Sequence, residues 1–469
     1  MSASEIGIIG MGVMGRSLAK NAAGKGIRLS VYNRMTDAEK EVIPTLLQDI
    51  SRTNIQGFHE IEAFISSLSQ PRKMLLMIPA GAAVDGMIKT LLPLLSEGDI
   101  IMDGGNSHYK DTQHRYQMLS SEGIHFMGVG ISGGEKGALQ GPSMMIGGNE
   151  NAYEQLKPFF DAIAATDKDG NACATYVGGD GCGHLVKTIH NGIEYAEMQL
   201  LAECYDLLKP SHTYDRISEI FMEWNESNAK SYLLEITGQI LQKKDKDGSY
   251  LIDKVLDKAG SKGTGSWSSQ IAFQLGVPAP MINAAVTARY LSSLKEKRAS
   301  LSSRVENKDT LPTESLNVEE LKKAYTFARI LNHYQGFEII KAAAKENDWN
   351  INLSEIARIW TEGCIIKSRL MESLVPIFQT ETDLVEDLGL FNQLKSYENS
   401  VKNILNYGFN KILLINCMSN SYNYFVSLTT ALSSAHIIQA QRDEFGAHTY
   451  RRIDTPEDQS FTSNWTTDG

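Results

Sequence analysis

Cysteine is scarce in this chain: Cys173, Cys182, Cys204, Cys364 and Cys417 are the only five in 469 residues. Their number is odd and no two stand at the close spacing of a metal-binding pair. A disulfide framework and a structural zinc site are both disfavoured. Long apolar runs are also missing; none approaches the ~18 residues needed to cross a bilayer. The N-terminus passes straight into a strand pattern with no signal-peptide signature. Basic charge is not in excess, since 45 Lys and Arg face 56 Asp and Glu for a formal net charge of −11. That balance argues against a general nucleic-acid binder and leaves room only for a local basic pocket. No Asp, Glu and His set stands at metal-ligand spacing, so no metal is expected. No short-period repeat is evident. The expectation is a soluble cytoplasmic protein with no nucleic-acid or membrane partner.

What is present is ordinary globular composition, 42% hydrophobic and 22% charged, over a length that suggests about three domains. Residues 1–180 alternate short apolar runs with helix-like stretches. Ile6–Ile9, Leu29–Tyr32, Met74–Ile78, Ile100–Met102, His125–Val129 and Met144–Ile146 read as strands buried on both faces. Arg16–Lys25 and Ala83–Leu95 suit crossover helices between them. This is the pattern of a doubly wound parallel sheet, an α/β coenzyme domain of Rossmann type. Beyond Gly178–Gly181 the period changes to three and four. Residues 181–440, interrupted by a polar loop at 307–314, read as one large all-helical domain. Residues 441–469 are polar and read as a short C-terminal tail.

Gly10-Met11-Gly12-Val13-Met14-Gly15 follows the first strand directly and precedes a helix. In that position Gly10 permits a tight turn, Gly12 lets backbone amides approach a pyrophosphate, and Gly15 lets the helix pack on the sheet. A carboxylate about 20 residues on would mark NAD. Here Asn33-Arg34 stands instead, with no acid until Asp37, and an Arg can meet a 2′-phosphate. NADP is favoured; the lesser alternative is that Arg34 is a solvated surface charge. Further on, Lys187, His190, Asn191, Glu194 and Tyr195 fall within an arc of about 140° on a helix. Val186, Ile189, Ile193, Ala196 and Leu200 occupy the other side. Five different functional types on one face suggest a site, while an amphipathic surface helix would give the same split. Lys262-Gly263-Thr264-Gly265 could cradle an anion. Arg289, in an apolar helical run, either meets an anion, snorkels to water or pairs with a local acid.

Taken with Asp103–Ser107, Gly130–Glu135, Asp257–Trp267 and Gln441–His448, these segments resemble the decarboxylating 6-phosphogluconate dehydrogenase family over nearly the whole chain. The resemblance implies NADP as coenzyme, held by Gly10, Met11, Gly12, Val13, Met14, Gly15, Asn33, Arg34, Met77 and Asn106. It implies Lys187 as the base for the substrate's 3-hydroxyl and Glu194 as the acid that protonates the enediol. His190, Asn191, Asn106, Ser132, Gly133 and Gly134 would bind the sugar acid. Tyr195, Lys262, Thr264 and Arg289 would hold its phosphate. Arg442 and His448 would reach the site of a second subunit, which implies a homodimer. The chain departs from the family pattern at Met35, usually Thr, at Pro79, usually a lysine or similar residue, and at Ile146, usually Pro. Two other readings remain: a β-hydroxyacid dehydrogenase acting on a non-phosphorylated acid, and a catalytically silent NADP-binding protein. The phosphate residues Lys262, Thr264 and Arg289 speak against the first, and Lys187 with Glu194 against the second.

Overall fold

The computed structural model describes residues 3–50, 54–261, 263–305, 315–380 and 383–465. They form two compact units, residues 1–421 and 422–469. The first begins with an eight-stranded sheet: β1 Ile6–Ile9, β2 Leu29–Tyr32, β3 Ile55–Phe58, β4 Lys73–Leu76, β5 Ile100–Asp103, β6 His125–Ser132, β7 Ser143–Gly148 and β8 Ala174–Gly178. The spatial order is β3-β2-β1-β4-β5-β6-β7-β8. Reversal of the winding at β1 and β4 opens a crevice at the carboxyl ends of these strands, where the glycine loop lies.

Two strands escape a reading based on apolar runs. Both β3 and β8 are edge strands, half-buried and broken by glycine or polar residues, so they lack the continuous apolar face of the interior strands. The sheet is also not wholly parallel: β7 runs antiparallel to β6, Ser132 pairing with Ser143. The link between them holds only the short helix Gly134–Gln140, too little chain for a parallel crossover. After the helix Glu150–Ile163, β8 returns parallel to β7.

The rest of the first unit is helical, as the change of period indicates. Its spine is the 27-residue helix Cys182–Leu208, hereafter the site helix, beside the 29-residue helix Val318–Glu346. The polar loop expected at 307–314 lies outside the described residues. In the second unit, helix Ala435–Gly446 carries the chain through residues 441–446 in helical form. Asp443 anchors that unit, accepting from Thr449 N, Ser463 N and Trp465 Nε1.

Close contacts fix the site helix on three sides. Asn332 Nδ2 of the long neighbour donates to the Ile193 carbonyl (2.9 Å), and Arg329 Nε meets Glu197 Oε1 at 3.1 Å with both side chains fully buried. Helix Thr264–Gln274 sends Ser268 Oγ to the Thr188 carbonyl (2.7 Å), beside Gly192. At Gly183, in its first turn, the site helix lies directly against the sheet backbone. A Cβ on Gly183 would lie 2.2 Å from Gly128 O, 2.6 Å from Met145 O and 2.7 Å from Gly147 N. All three are backbone atoms and cannot move aside cheaply.

This contact makes a prediction opposite to helix propensity. In an isolated helix Gly→Ala gains up to ~1 kcal/mol. Gly183→Ala should instead destabilise this protein by on the order of 3 kcal/mol, because the methyl drives the helix off the sheet. A thermal melt of the purified variant reads the sign, and a Tm equal to or above the parent's contradicts the contact.

Candidate active site

The glycine loop has the shape that its spacing suggests. Gly10 sits at φ +97°, and a Cβ there would fall 2.6 Å from the Met77 carbonyl oxygen. A Cβ on Gly15 would come within 2.0 Å of Gly10 O. Steric necessity therefore explains both residues. Gly12 is different, since a Cβ there would meet nothing within 4 Å. It caps helix Val13–Gly24, whose first turn carries no acid, and the space a Cβ would take there is open. That combination suits an anion such as a pyrophosphate. Met11 is buried, Met14 packs partly against the core, and Val13 is exposed. Met77 lines the floor between Gly10, Gly15 and Gly104.

Beyond β2, Asn33 Oδ1 accepts from Met11 N (2.9 Å), tying this corner to the glycine loop. Arg34 is exposed but not free. Its Nε and Nη2 donate to the two oxygens of Glu39 at 2.9 and 3.0 Å, and Asn33 Nδ2 reaches Glu39 Oε2 at 3.2 Å. The Arg34 hydrogen bonds hold the Glu39 carboxyl below the usual range. The acid at this corner is therefore Glu39, which sequence reasoning passes over because it lies in a turn with no period to mark it.

The Asp103–Ser107 turn is braced from behind. Asp103 accepts from Gly105 N (2.9 Å) and Ser107 Oγ (2.6 Å). Arg115, almost fully buried, donates to Asp85 (2.7 Å), the Gly81 carbonyl (3.2 Å) and Ser107 Oγ (3.4 Å), with Asp103 at 3.6 Å. His184 Nε2, from the first turn of the site helix, donates to the Asp103 carbonyl (3.0 Å). Its Nδ1 lies 2.6 Å from Thr112 Oγ1. Burial pushes the His184 pKa down, which suits this neutral bridging role. Asn106 is thus presented, exposed, on a turn locked to both the coenzyme crevice and the site helix.

On the site helix the polar stripe is buried, which removes the surface-helix alternative. Lys187 is 7% exposed and His190 0%; Asn191 and Tyr195 are also buried, and Glu194 is partly open. His190 is the hub. Its Nε2 lies 3.2 Å from Ser132 Oγ at the end of β6, and its Nδ1 lies 3.3 Å from Asn191 Oδ1 and 3.5 Å from Lys187 Nζ. Glu194 Oε2 stands 3.9 Å from the same Nδ1. Trp360 meets the imidazole edge to face, with ring centroids 5.3 Å apart. Burial drives the His190 pKa well down and the Lys187 cation lowers it further, so the ring is neutral. Burial also lowers the Lys187 pKa, against the opposing pull of Glu194. Desolvation wins that contest, which sequence alone leaves undecided.

Gly133 and Gly134 turn the chain away from β6 at φ +107° and +61°. A Cβ on Gly133 would lie 2.5 Å from the Gly363 carbonyl oxygen. Trp360, Gly363 and the buried Cys364 thus form a wall contributed from far along the chain, with no local signal in the sequence.

Next to Glu194 on the site helix stands Tyr195; the Arg289 guanidinium stacks on its ring, 3.4 Å from the centroid, and donates to the Gly260 carbonyl (2.9 Å). Tyr195 OH lies 3.3 Å from Ser261 Oγ, and a Cβ on Gly265 would collide with the ring at 2.3 Å. Thr264 opens the following helix and is buried. Stacking and partial burial take Arg289 out of the snorkelling class; it stands against Tyr195 and Gly260. Lys262 lies outside the described residues. In the second unit Arg442 Nη1 donates to Gln439 Oε1 (3.2 Å) and His448 packs on Phe445, both exposed. Among the described residues no group of three or more His, Cys, Asp or Glu is placed to hold a metal ion.

The chain is similar to proteins of one family along nearly its whole length. Residues 5–178 match the family profile described as the NAD binding domain of 6-phosphogluconate dehydrogenase. Residues 183–465 match that of the 6-phosphogluconate dehydrogenase C-terminal domain. The NADP(+)-dependent, decarboxylating 6-phosphogluconate dehydrogenase of Bacillus subtilis (strain 168) is 43% identical over 474 residues, covering 99% of this chain and 100% of that protein. The decarboxylating enzyme of Escherichia coli (strain K12) is 41% identical over 473 residues, with 99% and 100% covered. The solved Plasmodium falciparum 6-phosphogluconate dehydrogenase, described apo, with NADP+ and with 6-phosphogluconate, superposes with a TM-score of 0.93 at 36% identity. That match covers 98% of this chain and 100% of the other. On this evidence the chain belongs to the family of decarboxylating 6-phosphogluconate dehydrogenases.

Proposed function

We propose that this chain oxidatively decarboxylates 6-phosphogluconate to ribulose 5-phosphate and carbon dioxide, reducing NADP+, as a step of the pentose phosphate pathway. The observation that carries the reading is Lys187, a buried lysine with a lowered pKa, held beside neutral His190 at the end of β6. Bound NADP+ supplies the hydride acceptor. Neutral Lys187 takes the proton of the 3-hydroxyl as the hydride leaves C3. The ketone formed is β to the carboxylate, and the ammonium now on Lys187 polarises its oxygen. Carbon dioxide departs as C1, the electron pair enters the C2–C3 enediol, and Glu194, partly exposed, protonates C2, which becomes C1 of ribulose 5-phosphate. Lys187 in this role does the electrophilic work that a metal does elsewhere.

Ser132, Gly133, Gly134, Asn106, His190 and Asn191 orient the sugar acid. Tyr195, Thr264, Arg289 and Lys262 receive its phosphate. The three-part division at 180 and 440 follows this assignment of tasks: coenzyme, substrate with dimerisation, and tail. Exposed Val255, Leu256, Phe273, Tyr290, Leu291 and Leu294 support burial against a second copy. In that homodimer Arg442 and His448 complete the partner's site. Among the described residues no helix is long and apolar enough to cross a membrane. The acidic net charge fits a cytoplasmic enzyme with no nucleic-acid partner.

Reduced coenzyme formed from 6-phosphogluconate and NADP+ tests the reaction. Lys187→Met should lower kcat by ~10²–10⁴-fold while substrate affinity stays within about tenfold, because the base acts in proton transfer. Substantial turnover by that variant removes Lys187 from the role. Mixing Lys187→Met with Arg442→Ala under subunit exchange should restore activity if sites are shared. No recovery despite demonstrated exchange places the tail in its own subunit's site.

A further inference from the structure

The corner at the end of β2 carries a second, opposing message about the coenzyme. A 2′-phosphate needs hydrogen-bond donors and positive charge; a 2′-hydroxyl needs an acceptor. Arg34 supplies the first, but two donors of its fork are already taken by Glu39, in the bidentate geometry that guanidinium shares with phosphate. The same carboxylate receives Asn33 Nδ2, and Asn33 in turn accepts from Met11 N within the glycine loop. Glu39 is therefore tied into the coenzyme crevice, not adrift on the surface. Met35, which follows Arg34, is 68% exposed and offers no donor to replace those engaged. An exposed ion pair of this kind is ordinarily worth little to stability. Its position gives it consequence, because the ligand group that Arg34 would receive must displace or sit beside an anion.

We infer that Glu39 is a coenzyme-selectivity residue that competes with the 2′-phosphate of NADP+ for Arg34 and offers its carboxylate to the 2′-hydroxyl of NAD+, narrowing discrimination between the two. The inference rests on the coenzyme reading given above and concerns only its selectivity. Glu39 lies in a turn, and its side chain accepts from Arg34 and Asn33, which Glu39→Gln can still meet through its remaining oxygen, so that substitution suits the fold.

Calorimetric dissociation constants for NADP+ and NAD+ test this without reference to turnover. Glu39→Gln keeps the side-chain length and removes the charge. It should raise the preference for NADP+ over NAD+ by about tenfold, through tighter NADP+ and equal or weaker NAD+ binding. In an Arg34→Met background the same substitution should leave NADP+ binding within about twofold, since the competed donors are gone. An unchanged preference in Glu39→Gln, or a full gain persisting without Arg34, overturns the inference. Binding of neither dinucleotide to the unaltered chain overturns the coenzyme reading and this inference with it.

Discussion

Everything in the site depends on one close contact: the first turn of the site helix laid directly against the backbone of β6 and β7. Four glycines make it possible. Gly128 and Gly130 on β6, Gly147 on β7 and Gly183 on the helix each lack the Cβ that would meet a neighbour within 3.0 Å. No side chain separates sheet from helix there. Lys187 and His190, one and two turns further, are carried to the end of β6, where Ser132 emerges. Their burial is a consequence of this approach, and the lowered pKa values follow from burial.

The same contact couples the two ligands. His184, one residue beyond Gly183, holds the Asp103 carbonyl, and Asp103 organises the turn that presents Asn106. Arg115 links that turn to Gly81 and Asp85 on the other side of the crevice. A hydride moves only over contact distance, so coenzyme and sugar must be held in one frame. Here the frame is a chain of hydrogen bonds running from the β4 loop through Asp103 to the helix that carries Lys187. Polar groups this deeply buried stabilise only when partnered, and these side chains have their partners within the network.

Much of this was legible in the sequence because it is locally encoded. Spacing in Gly10–Gly15 states its own conformational demands, and the stripe from Lys187 to Tyr195 shows in the helical period of a single segment. Interior strands announce themselves by continuous apolar runs; the edge strands β3 and β8 do not. The reversal of β7 was readable in principle from the short link after Ser132, yet its apolar composition matches a parallel strand. Contacts made at long range carried no signal. Ser132 meets His190 across 58 residues, and Trp360 closes on the same ring from further still. Glu39 was missed for another reason: an acid five residues after Arg34 in a turn looks like any solvated charge until the fold pairs them.

The central claim is that the glycine contact, by burying Lys187, makes a lysine usable as a base. Gly130 tests it most directly, because a Cβ there would fall 2.5 Å from Lys187 Cβ and 2.8 Å from the Gly183 carbonyl oxygen. The measurement is the pH dependence of kcat/KM for 6-phosphogluconate, in the parent and in Gly130→Ala. A base whose pKa is lowered from the ordinary 10.5 loses its proton at a lower pH. The parent rate should therefore rise through a midpoint below 10.5. In Gly130→Ala, still folded and still binding NADP+ within about twofold, the midpoint should move up and kcat should fall by an order of magnitude or more. An unchanged midpoint and kcat in that variant would show that the contact does not set the state of Lys187.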